Sequence, residues 1–168
     1  PLRESLLAQA RLRLWLGMPA LLFIVGAVYF YDAAHQQFGA KAMGFLSLTY
    51  VLYCIATYAL AAGNEGRQDK ALLGITVVGD PLMLSLFLYG AGNGAIVFVG
   101  FYLFTILGFG FRVGITSMRT CQAIAIAGFS LVVIFSPIWN GMRMVAASHL
   151  VLLVVVPLNA SALIRGLR

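Results

Sequence analysis

One acidic residue stands inside a run built for lipid. In "LLGITVVGDPLMLSLFLYG", Leu72 to Gly90, Asp80 and Pro81 interrupt an otherwise apolar stretch of a 168-residue chain. An aspartate at a helix centre costs about 2.5–3.5 kcal/mol to insert, and each Leu, Ile, Val or Phe returns about 0.3–0.6 kcal/mol. The ten such residues between Leu72 and Leu88 return roughly 3–6 kcal/mol, so the segment inserts by a small margin. Pro81 removes one backbone N–H and presses on the carbonyl one turn back, near Val77. A kink is therefore expected, with a freed carbonyl beside the carboxyl group. Such a polar spot should face other helices and find partners there. Counted from the cytoplasmic ends at 1.5 Å per residue, Asp80 lies about 15 Å deep, level with Tyr53, Tyr102 and Ser130. On that count no arginine or lysine shares the depth, so desolvation favours a protonated, neutral Asp80. Its role is then either hydrogen-bonded glue between helices or a ligand-sensing or proton-linked switch.

Other residues with chemical potential are few. Gly108, Gly110 and Gly114 surround Arg112 in "LGFGFRVG". Glycines so spaced weaken a helix but let a neighbouring backbone, or a ligand, come close. No strand precedes them, so this is not a dinucleotide motif. Arg112 either snorkels to the headgroups or holds an acidic headgroup or fatty carboxylate at the inner surface. In "SPIWNGMR", Pro137 is suited to end a helix and Trp139 to sit at the outer interface. Pro157 and Asn159 place a second kink beside a polar group near the inner end of the last apolar run. His149 has no second His or Cys near it in sequence and is expected to be an interfacial hydrogen-bonding residue, not a metal ligand. Cys54 and Cys121 differ in depth by more than the roughly 7 Å that a disulfide spans and are expected to be packing residues. Paired acids, His–Asp spacings and nucleophile–base sets do not occur in the apolar runs, so no catalytic motif and no cofactor site is expected.

The elements that must hold these residues follow from composition. The chain is 62% hydrophobic and 10% charged, with mean hydropathy +0.98, against about 45–50% apolar and about 25% charged for a soluble domain. It is expected to be an all-α polytopic membrane protein, a bundle of six transmembrane helices at 14–31, 42–62, 71–90, 95–111, 120–138 and 146–164. The connections are short, so consecutive helices should be antiparallel neighbours. With the N-terminus inside, the inner set is Arg3, Arg11, Arg13, Arg67, Lys70, Arg112, Arg119, Arg165 and Arg168, and the outer set is Lys41 and Arg143. Nine against two obeys the rule that basic residues mark the cytoplasmic side, and an even number of spans puts both termini there. The net charge of +6 is thus loop charge; no basic tract or RNA-binding motif points to nucleic acid. Membrane lipid is the expected surrounding partner. Residues 1–13 are amphipathic, and they are expected to lie on the cytoplasmic membrane surface before the chain turns in. The first apolar run is long for a signal peptide and lacks a clear small-x-small cleavage site, so it is read as a retained span.

The order of these features resembles the N-terminal membrane region of RpfC-type hybrid sensor histidine kinases, the bacterial receptors for diffusible signal factor fatty acids in quorum sensing. The residues that carry the resemblance are Asp80, "LGFGFRVG" at 107–114, "FSPIWN" at 135–140 and "VVPLNASALIRGLR" at 155–168. It is firmest from Asp80 to Arg168, and the N-terminal half matches mainly in layout. The resemblance implies a sensory input domain in the bacterial inner membrane that detects a fatty-acid signal and relays it through the last helix. The relay would reach a cytoplasmic kinase core following Arg168, in a homodimer. The 168 residues have no phosphoacceptor His motif, ATP-binding glycine boxes or receiver Asp and are not expected to autophosphorylate by themselves: they are either the input region of a longer protein, which would carry the phosphotransfer, or a kinase-free relative. The rival reading, from the residues alone, is a small transporter or channel that uses Asp80 as a proton or cation site.

Overall fold

The structure, a computed structural model, describes residues 2–30, 37–63 and 68–166. Six of its helices are long and apolar enough to cross a membrane: α1 (Leu2–Phe30), α2 (Ala40–Gly63), α3 (Asp69–Gly90), α4 (Gly92–Arg112), α5 (Ile115–Phe135) and α6 (Arg143–Gly166). A short helix, Pro137–Gly141, joins α5 to α6. No strand occurs among the described residues. The architecture is an all-α six-helix bundle of the multi-pass membrane kind.

Hydrogen bonds at the two ends fix an up-and-down order. Arg3 donates to the carbonyls of Ala61 and Ala62, and Ser5 donates to that of Arg112, so the start of α1 meets the ends of α2 and α4. At the opposite end the N–H groups of Gln37 and Phe38 donate to the Gly90 carbonyl. Arg3, Arg11, Lys70, Arg112, Arg119 and Arg165 therefore gather towards one end, and Lys41 and Arg143 at the other. Arg67 and Arg168 lie outside the described residues, as does Tyr31 at the end of the first expected span.

Helix α5 is the centre of the core. It packs on α3, α4 and α6, and its Met118, Cys121, Ala125 and Phe129 are fully buried. Helix α1 packs on α2, α3 and α4 along one side of this core. The hairpin from α4 to α5 needs its glycines: Gly114 has φ 138°, where a side chain is strained. A side chain at Gly110 would strike Met118 of the following helix. These two glycines serve the hairpin, while a Cβ added at Gly108 would meet Gln9 of α1 only at ordinary contact distance.

The first span differs most from the sequence expectation. Instead of a surface segment over 1–13 followed by a span from residue 14, one helix runs from Leu2 to Phe30, about 43 Å at 1.5 Å per residue. Leu6 and Ala10 are buried against Ala61 of α2 and Leu72 of α3. Four charged residues in the first 13 lower the local hydropathy, and composition does not distinguish a charge that faces water from one that faces another helix. Over Arg13–Gly17 the helix widens into a π turn, in which Arg13 and Gly17 are the buried residues. Such turns insert a residue into the ladder and are frequent at functional sites.

Trp139 is a second correction. It does not face lipid or water but is 0% exposed, packed edge-on against Phe129 with ring centroids 5.0 Å apart. Pro137 does end α5, which stops at Phe135, and as the first residue of the short helix it suits the position where an N–H is not needed. That new helix turns the tryptophan inward.

Candidate functional site

Asp80 stands 11 residues into α3, and Arg13 stands 11 residues into α1. Both helices start at the same end of the bundle, so both residues lie about 16 Å in. The expectation that no basic residue shares the depth of Asp80 is therefore wrong. It counted α1 from residue 14, which left Arg13 at the surface; counted from Leu2, Arg13 belongs beside the acid.

The two side chains meet in a bidentate pair. Arg13 Nε donates to Asp80 Oδ1 at 2.6 Å, and Arg13 Nη2 donates to Oδ2 at 2.7 Å. The side chains are 8% and 10% exposed. Tyr53 of α2 donates a third bond, Oη to Oδ1 at 2.7 Å, and its ring lies 5.6 Å from the guanidinium carbon. A carboxyl group that accepts on both oxygens from a fork of charged donors has the geometry of an ionised carboxylate. The expected neutral Asp80 is replaced by a neutral pair. Three helices, α1, α2 and α3, are joined at this point in mid-bundle.

The helical spacing that builds the site runs along α1. Ser5, Gln9, Arg13 and Gly17 recur at intervals of four, which keeps them near one face. Arg112 Nη1 donates to Gln9 Oε1 at 2.6 Å, while Ser5 donates to the Arg112 carbonyl at 3.0 Å. Arg112 thus belongs to the joint between α1 and α4, one turn nearer the basic end than the ion pair. Gly17 sits so close to the Tyr50 hydroxyl that any side chain there would collide with it. Tyr50 in turn hydrogen-bonds to Cys54.

A groove opens beside the pair, between α1, α3 and α4. Arg13, Asp80 and Gln9 give it polar groups, and Leu21, Ile24, Phe98 and Phe101 line its apolar stretch. From Gln9 to Ile24 it follows α1 for about 22 Å. Leu16 and Phe104, also in its wall, are 40% and 48% exposed, so the groove opens sideways towards lipid. Its cavity volume is only about 100 Å³. A chain-like molecule seated there would lie partly in the groove and partly in the bilayer.

The other residues singled out in the sequence are elsewhere. Tyr102 of α4 shares a 2.6 Å hydrogen bond with Ser85, which also donates to the Pro81 carbonyl at 2.8 Å. Tyr102 thus reaches the Pro81 turn but not Asp80, whose partners among the described residues are Arg13 and Tyr53. Pro81 is buried within a helix that continues through it. Ser130 is half-buried on α5 and is not one of the acid's partners. Asn159 is exposed, its amide turned back to the Val155 carbonyl of its own helix at 3.1 Å. His149 is half-buried against the Phe129 ring, 5.9 Å between centroids. Cys54 and Cys121 are buried free thiols.

The polar group that meets the backbone beside Pro157 is Gln122, which sequence reasoning missed. Pro157 has no N–H to give the carbonyl of Leu153, four residues back. Gln122 of α5 supplies one instead, Nε2 to the Leu153 carbonyl at 2.8 Å. Arg119 donates to Gln122 Oε1 at 3.2 Å and to Ser161 Oγ at 2.9 Å. Helix α5 packs on α3, which carries Asp80, and also clasps α6 beside Pro157. Compared with family models, with curated proteins and with solved structures, the chain matches none.

Proposed function

We propose that this bundle is the signal-input domain of a two-component sensor histidine kinase in the bacterial inner membrane. In this reading the basic end and both termini face the cytoplasm, a fatty-acid-type signal is the ligand, and α6 is the output towards a kinase core. The observation that carries the reading is the Arg13–Asp80 pair in the wall of a groove open to lipid. A buried ion pair gives little or no net stability over a hydrophobic replacement of the same volume, so stability alone is a poor reason for one here. A two-state joint is a better one: closed, it holds α1 to α3; opened by a ligand with a polar head, it releases them. Only a ligand that binds the two packings with different affinity shifts their balance. The route to the output runs from α3 through α5 to Gln122 and the carbonyl it holds beside Pro157.

The test is a fusion of residues 1–168 to a kinase core, with autophosphorylation read with and without a medium-chain 2-unsaturated fatty acid. Asp80→Asn, Asp80→Ala and Arg13→Gln should each change basal activity and abolish the response. An unchanged response at normal expression sinks the proposal. The alternative, a proton- or cation-linked carrier, is less well supported because Arg13 and Tyr53 already occupy both oxygens of Asp80. Flux into liposomes across an imposed pH gradient would favour the carrier.

A further inference from the structure

We infer that a ligand with an acidic head binds in this groove together with one proton, so that the site takes up a neutral acid and rejects a permanent anion. The inference rests on the fatty-acid reading of the site and adds the charge state of the ligand. Its basis is the charge balance at the pair. Arg13 and Asp80 lie in mid-bundle and cancel each other through two short hydrogen bonds. The remaining titratable side chains facing them from the packed helices are Tyr50, Tyr53 and Cys54 on α2 and Cys121 on α5, all uncharged in their ordinary protonated forms. Arg112 of α4 is already tied to Gln9.

An anionic head arriving here would therefore leave one uncompensated negative charge in a low-dielectric setting, which is costly. The acid avoids it by entering protonated: its carbonyl oxygen accepts from the guanidinium and its hydroxyl donates to Asp80, which opens the pair without adding charge, whereas a permanent anion brings no proton for Asp80. The guanidinium offers five N–H donors, and Asp80 engages two of them, so donors are free for the carbonyl oxygen. Binding takes up one proton per ligand anion.

The experiment measures saturable binding to residues 1–168 in nanodiscs of zwitterionic lipid, with decanoic acid and decane sulfonate as probes. Wild type should bind decanoic acid with a Kd that rises about tenfold per pH unit from pH 6 to 8, the slope of one linked proton. It should not bind the sulfonate. Asp80→Asn leaves Arg13 as a single positive charge, so this variant should bind the sulfonate, and it should bind decanoate as the anion without a linked proton. Its slope, after both data sets are corrected for partitioning into empty nanodiscs, should be near zero. Equal affinity of wild type for both probes, or the same corrected slope in both proteins, overturns the inference and leaves fatty-acid sensing intact. If neither probe binds wild type saturably at any pH, the inference and the fatty-acid reading fall together. Should Asp80→Asn not assemble, the two probes on wild type decide the question.

Discussion

Removing either partner of the Arg13–Asp80 pair should destabilise the bundle strongly, and removing both should not. Either single change, Arg13→Leu or Asp80→Leu, deletes the two hydrogen bonds of 2.6 and 2.7 Å, Asp80→Leu the Tyr53 bond as well, and strands the other charge at about nine-tenths burial. Two bonds to charged groups at about 1.5–3 kcal/mol each give roughly 3–6 kcal/mol, in line with the about 3–5 kcal/mol seen when a buried pair is broken on one side. The double change removes both desolvation penalties and fills the space with apolar atoms, so it should lie between neutral and about 4 kcal/mol more stable than wild type. The coupling between the two sites then exceeds about 5 kcal/mol. Reversible unfolding in mixed micelles, followed by the fluorescence of buried Trp139, measures all four corners of the cycle. Single changes that cost under about 1 kcal/mol and add up in the double variant would show that the pair does not form.

Three further outcomes check the surrounding structure. Gln122→Leu should cost about 0.6–2 kcal/mol, the range for interhelical hydrogen bonds in membranes. Most of that cost should vanish in a Pro157→Ala background, where the Leu153 carbonyl regains a backbone donor; equal costs in both backgrounds would contradict the clasp. Tyr53→Phe should destabilise by a similar about 0.6–2 kcal/mol in the same unfolding assay, while Tyr102→Phe, which loses Ser85 and not Asp80, should leave the coupling of the cycle unchanged. Brominated lipid should quench Trp15, which is 78% exposed, and spare Trp139, which is 0% exposed; strong quenching in a Trp15→Phe variant would restore the interfacial placement.

The six spans were readable because insertion depends on the summed apolarity of about 20 residues, a quantity composition supplies directly. The partner of Asp80 was not, for two physical reasons. Depth is a one-dimensional count, and it is only as good as the helix start it is counted from: α3 was counted correctly, which found Tyr53, whereas α1 was begun 12 residues late, which hid Arg13. Depth also says nothing of which way a side chain faces. Tyr102 and Ser130 share the level of Asp80 on that count yet turn elsewhere, and Trp139 lies just past the C-terminal end of α5 but points inward. One signal that could have corrected the first error is the spacing of four in Ser5, Gln9, Arg13 and Gly17. It marks a polar stripe on a single helix face, which suits a helix packed against other helices. In α6, Pro157 announces a freed carbonyl, but the donor that meets it comes from another helix, and no local pattern singles out Gln122 over Asn159.

The most direct test of the central claim is a solid-state NMR measurement on the chain in lipid, with the Arg13 guanidinium nitrogens and the Asp80 carboxyl carbon labelled. The expected result is a strong nitrogen–carbon dipolar coupling, as the 2.6 and 2.7 Å contacts require, together with the carbon shift of an ionised carboxylate. A protonated carboxyl with no coupling to the guanidinium would contradict the pair and return Asp80 to a lone neutral acid.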